Sequence, residues 1–124
     1  MRVAVLSDPH GDHVALAKVI AHLEHAGPVD EVLIGGDLAQ GGGQPSEVVD
    51  EIRRRGWRSV RGNADDLLVR IAGGSSADDA LRPAREAHKD LLDSVASHAA
   101  RSVKQLGPGR IDYLRSLPIS IELG

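Results

Sequence analysis

Asp8 and His10 stand two residues apart directly after an apolar run, in Ser7-Asp8-Pro9-His10-Gly11-Asp12. In extended backbone, side chains two apart point the same way, so a carboxylate and an imidazole can close on one ion. Asp37 follows a second apolar run, in Gly35-Gly36-Asp37, where glycine permits a tight turn and close backbone approach. A carboxylate at that point can bridge two ions, which is what a two-metal hydrolase needs. Asn63, in Arg61-Gly62-Asn63-Ala64-Asp65, offers an amide oxygen to a second ion, and Arg61 stands near enough to contact a phosphate. Taken singly, Asp37 and Asn63 also read as ordinary turn residues. Their shared position after successive apolar runs favours ligation.

The elements around these motifs decide whether they can meet. Val3-Ala4-Val5-Leu6 and Glu31-Val32-Leu33-Ile34 are short apolar runs suited to buried strands, and Trp57 to Val60 is a weaker third. Between the first two, a helical pattern runs from Asp12 to Ala26. Leu16, Val19, Ile20 and Leu23 lie on its apolar side and Lys18, His22 and His25 on the other. Pro45-Ser46 opens a second helix with Val48, Val49 and Ile52 on one face, ending at Gly56. Strand, helix, strand, helix, strand predicts a parallel sheet with right-handed crossovers. The three motifs then fall along one edge of that sheet, where open α/β sheets place their ligands.

Beyond Leu67 the pattern changes. Gly73-Gly74-Ser75-Ser76 predicts a loop. Ala84, Ala87, Leu91, Leu92, Val95, Ala99 and Val103 predict an amphipathic helix over about 82–105, stopped by Gly107-Pro108. A short helix through Ile111, Tyr113 and Leu114 follows, and Ile119 to Leu123 alternates as a half-buried strand should. His13, His22 and His25, like His88 and His98 in the long helical pattern, read as surface residues. Arg53, Arg54, Arg55, Arg58 and Arg61 form a basic cluster, read as a solvated helix face.

The chain has 124 residues, one domain's worth, and 41% are hydrophobic, so a buried core is expected. A net charge of -3 argues against a general nucleic-acid binder. There is no cysteine, so any metal must be held by oxygen and imidazole. No apolar run is long enough to cross a bilayer, and no signal peptide is evident. A cytoplasmic protein is expected.

The order Asp-x-His, Gly-Asp, Gly-Asn resembles the calcineurin-like metallophosphoesterase family, and more narrowly its small bacterial single-domain phosphodiesterase branch. Ile111 to Leu123 is also similar to the segment that precedes the next family motif. The resemblance implies the βαβαβ half of a metallophosphoesterase sandwich, followed by a helical segment and a final strand. It implies hydrolysis of phosphate mono- or diesters by metal-activated water, with two divalent ions (Mn, Fe, Zn or Ni). Asp8 and His10 would bind one ion, Asp37 would bridge both, and Asn63 would bind the second. Many members carry His directly after the motif Asn; here Ala64 stands there, so no catalytic acid is assigned. The family usually has Asn at the position of Asp12. It also supplies three more histidines downstream, including a Gly-His-x-His pair that this chain lacks. The second ion site is therefore expected to be incomplete, and the single domain of residues 1–124 to be an N-terminal portion. The alternative is an inactive fragment or interaction module retaining a partial metal site. Self-association, or a partner chain covering the exposed sheet face, goes with that reading.

Overall fold

The alternation of apolar runs with amphipathic stretches yields the expected parallel sheet. In the computed structural model, which describes residues 1–75 and 89–123, the strands are β1 (Val3–Leu6), β2 (Glu31–Ile34) and β3 (Arg58–Ser59), in the order β1-β2-β3. Both pairings are parallel, with Val3 opposite Glu31 and Leu6 opposite Ile34. The crossovers are α1 (His13–His25) and α2 (Pro45–Arg54); α3 (Asn63–Ala72) and α4 (Lys89–Ser116) follow.

Consecutive parallel strands joined by right-handed crossovers place their helices on one face of the sheet. The strand alternation agrees. Ala4, Leu6, Val32 and Ile34 join the core formed with Leu16, Ile20, Val48, Val49 and Ile52 of α1 and α2. Val5, between two of them, is 69% exposed. Leu68, Leu106, Ile111 and Leu114 extend the same core into α3 and α4.

Local chemistry explains the helix ends. Asp12 caps α1, its carboxylate accepting from the Ala15 N–H at 3.0 Å. Asn would cap equally well, so Asp at this position leaves the turn unchanged. Pro45 occupies the first position of α2, where its missing N–H costs nothing. Gly107 breaks the helical geometry inside α4 with φ 76°, dividing it where a helix end was expected.

The sequence reading differs from the structure at four points. Val19 is 41% exposed, although it shares the apolar side of α1 with Leu16 and Ile20. It stands beside an open cleft rather than under a neighbouring helix. α3 departs from the turn expected at Gly62-Asn63: Asn63 and Asp65 lie in its first turn. Residues 119–123 form no strand. β3 is only two residues long, and just beyond it the Arg61 N–H donates to the Pro118 carbonyl at 2.7 Å, ahead of this segment. His98 is half-buried on α4, its Nδ1 2.7 Å from the Ser94 carbonyl of its own helix. The expected helix start at Arg82 to Ala87, and His88, lie outside the described residues.

Candidate metal centre

The first two motifs are held together by backbone. The β1–β2 pairing continues past the strand ends: Asp8 N–H donates to the Gly36 carbonyl (3.2 Å), His10 N–H to Asp37 (3.0 Å) and Gly11 N–H to Leu38 (2.8 Å). Along this line Asp8, His10 and Asp37 have φ of 59°, 45° and 57°. They are the only non-glycine residues with positive φ among those described. The two-residue spacing in an extended chain is thus not what brings Asp8 and His10 together. Successive left-handed turns do so.

The result is a tight cluster. One ligand atom from each of Asp8, His10 and Asp37 lies within 4.8 Å of the other two. His10 Nε2 is 3.4 Å from Asp8 Oδ1 and 4.0 Å from Asp37 Oδ2. His10 Nδ1 lies 2.7 Å from the Gln40 carbonyl oxygen. A carbonyl can only accept, so Nδ1 carries a proton there, and Nε2 is the ring atom that faces the carboxylates and is free for an ion. Outer hydrogen bonds of this kind orient metal-binding imidazoles. The Ser7 hydroxyl donates to Asp8 Oδ2 at 2.5 Å, and this bond does most to hold the Asp8 carboxyl below its ordinary pKa; Asp37 and His10 add to it. Two carboxylate oxygens and one imidazole nitrogen form a donor set suited to first-row divalent ions, so these residues fit one such ion.

Asp37 is also tied to the third motif. Its Oδ1 accepts from the Ala64 N–H at 2.9 Å, at the start of α3. Asn63 is the first residue of that helix and is exposed. Gly62 allows the approach, since a Cβ there would lie 2.1 Å from Asp37 Oδ1. Arg61 reaches toward Asp66 (3.9 Å) and the Arg115 carbonyl (3.5 Å).

Asp65 is the residue that sequence reasoning missed. Its carboxylate is fully buried and accepts three backbone N–H groups, from Asp37, Leu38 and Gly62, each at 2.9 Å. Burial raises its pKa despite those three bonds. The available signal was its place three residues after the helix-capping Gly62, where an acidic side chain reaches back to the cap.

The arginines that precede Arg61 in the basic cluster are engaged elsewhere. Arg54 and Arg55 pair with Glu51, Arg58 with Glu31, and Arg53 stacks on Tyr113 at 4.9 Å. His22 and His25 are exposed, and His13 approaches Glu51 at 3.4 Å. A cleft of about 510 Å³ opens beside Asp8 and His10, walled by Leu6, Leu16, Val19 and Gln40. A larger one, about 680 Å³, lies at the opposite ends of the strands around Trp57 and Asp30 and includes none of the cluster.

The model of one protein family, described as calcineurin-like phosphoesterase, matches residues 1–115. A metallophosphoesterase from Sphaerobacter thermophilus has a similar structure (TM-score 0.68, 29% identity), covering 100% of this chain and 44% of that one. A hypothetical protein from Pyrococcus horikoshii OT3 shares the fold (TM-score 0.68, 22% identity), over 95% of this chain and 48% of the other. The chain thus spans less than half the length of either. No curated protein matches it in sequence.

Proposed function

Because this chain belongs to the calcineurin-like phosphoesterase family, whose model matches residues 1–115, we propose that it hydrolyses phosphate mono- or diesters with divalent metal. The observation that carries this reading is the convergence of Asp8, His10 and Asp37 on one point through three left-handed backbone turns. A divalent ion held there supplies a Lewis acid for phosphoryl oxygens and lowers the pKa of attacking water. The chain's own contribution is to bind and orient. Asp8, His10 and Asp37 form one ion site, with the Gln40 carbonyl fixing the His10 proton on Nδ1. Asp37 and Asn63 form a second, poorer site, and Arg61 is the nearby cation for a phosphate. The cleft beside Asp8 leaves room for the ester. Mn, Fe, Zn and Ni all suit a site of this kind, with Mn as the ion used to test it, and the cytoplasm is the expected compartment. The compartment rests on the sequence alone.

Calorimetry with Mn should show binding that Asp37→Ala abolishes, and a chromogenic phosphodiester should be turned over in a chelator-sensitive way. Equal Mn binding by Asp37→Ala would sink the site assignment.

A second reading has its own observation. Asp37 and Asn63 alone leave a second ion mostly to water, and Val5 lies 69% exposed on a sheet face that is left open among the described residues. On this reading the chain is half of a metallophosphoesterase fold that acts as an interaction module. Mn binding without turnover, at any protein concentration, selects it.

A further inference from the structure

We infer that Asp65 is the positioning residue of the metal centre, acting through Asp37 rather than touching an ion or substrate; the inference rests on the metal-binding reading above. Three loops carry the candidate ligands, and only the first two are joined by a continuous backbone ladder. The third, carrying Asn63, is joined to the backbone of Asp37 by one buried carboxylate. Asp65 Oδ2 accepts from both Asp37 and Gly62, one N–H from each loop, and Oδ1 accepts from Leu38. A single rigid group therefore fixes the backbone of the bridging ligand and the start of α3 at once.

The arrangement is specific to a carboxylate. All three partners are backbone donors, so the group that meets them must only accept, and an ionised carboxylate has no proton to set against them. An amide at this place would turn two protons of its own toward at least one N–H. Asp37 needs such support because its backbone sits in the left-handed region, which costs a non-glycine residue energy unless its surroundings impose it. Asp37 Oδ1 is in turn occupied by Ala64 N–H, which leaves Oδ2 facing His10. Asp65 fixes the backbone of Asp37, Ala64 fixes its carboxylate, and both come from the first turn of α3. The helix is then the part of the fold that aims the bridging ligand.

The test compares Mn binding by the full chain, Asp65→Asn and Ile52→Val, with amide spectra of each. Asp65→Asn should weaken Mn binding about 10- to 100-fold, the range for loss of an outer-shell partner. It should shift the Asp37, Leu38 and Gly62 amides and leave those of α2 in place. Ile52→Val, a buried change in α2 that removes none of the Asp65 bonds, should bind Mn as the unaltered chain does. Unaltered affinity in Asp65→Asn would overturn the inference, and so would an equal loss in Ile52→Val. Failure of the unaltered chain to bind Mn would instead count against the metal centre itself. If Asp65→Asn does not fold, amide exchange in the unaltered chain decides. Protection of Asp37, Leu38 and Gly62 like that of the core helices supports the clamp. Exchange as fast as at Gly41 and Gly43 overturns it.

Discussion

Each of Asp8, His10 and Asp37 combines a ligand-type side chain with a left-handed backbone. A conformation of that kind costs about 1–3 kcal/mol per residue and persists only where the surroundings impose it. The loop from Ala39 to Gln44 is one such constraint. Gly42 presses on the first motif so closely that a Cβ there would lie 2.3 Å from the His10 carbonyl oxygen and 2.4 Å from Gly11, whereas at Gly43 it would meet nothing within 4 Å. Backbone atoms cannot swing aside, so Gly42→Ala should destabilise the chain by about 1–3 kcal/mol and weaken Mn binding. Gly43→Ala should stay within about 0.5 kcal/mol of the original. Urea melts of the two check this, and equal losses would mean that the loop does not brace His10. The ligand types were legible in the sequence because carboxylates and imidazole announce their chemistry. The braces were not. Gly42 is one of three consecutive glycines with nothing beside it to single it out, and Asp65 is the last residue of a motif. Their roles depend on backbone atoms about thirty positions away.

At the scale of elements, the two full strands, α1 and α2 were legible because each is a short periodic run with punctuation at its ends. α3 was not, although Asp65 and Asp66 in its first turn suit the positive end of a helix. Asp65 also belongs to the third motif, so its acidic side chain carries two signals at once. The break at Gly107 was legible, but not what fixes the stretch after it. Arg110 lies just beyond the break and forks onto Asp50 of α2, with Nε 2.9 Å from Oδ1 and Nη2 2.7 Å from Oδ2. This bond holds the Asp50 carboxyl below its ordinary pKa. A depressed folded-state value stabilises the fold above the unfolded carboxylate pKa, about 3.9, and the benefit is lost as pH falls through the folded value. Both groups are substantially open to solvent, so the pair contributes at most about 1 kcal/mol. Asp50→Asn should therefore melt slightly earlier at neutral pH, with the difference shrinking in increasingly acidic buffer. A difference that widens toward low pH would show that Asp50 acts otherwise than as a carboxylate.

At the scale of the whole molecule, the sheet has one finished face. Parallel sheets are almost always covered on both sides. Here Ala4, Leu6, Val32 and Ile34 face the helices. Val5 and Leu33, which are paired in register, share the other side, where Val5 is 69% exposed. Among the described residues β1 is also an edge strand, with β2 on one side only. The sequence showed apolar runs but not this asymmetry, because a continuous run looks the same whether one face or both are packed. The related solved structures are more than twice as long as the part this chain matches. For this protein, an apolar face beside an open edge should drive association with a second copy when nothing else is offered. Sedimentation should then show a concentration-dependent dimer or larger species. Val5→Asp should return it to the monomer, because a charge on that face must be desolvated for the contact to form. The substitution is at an exposed position, so it should leave the melting temperature and Mn affinity of the monomer close to the original. A chain that sediments as a monomer at every concentration would show that this face stays in water, and the interaction-module reading would lose its support.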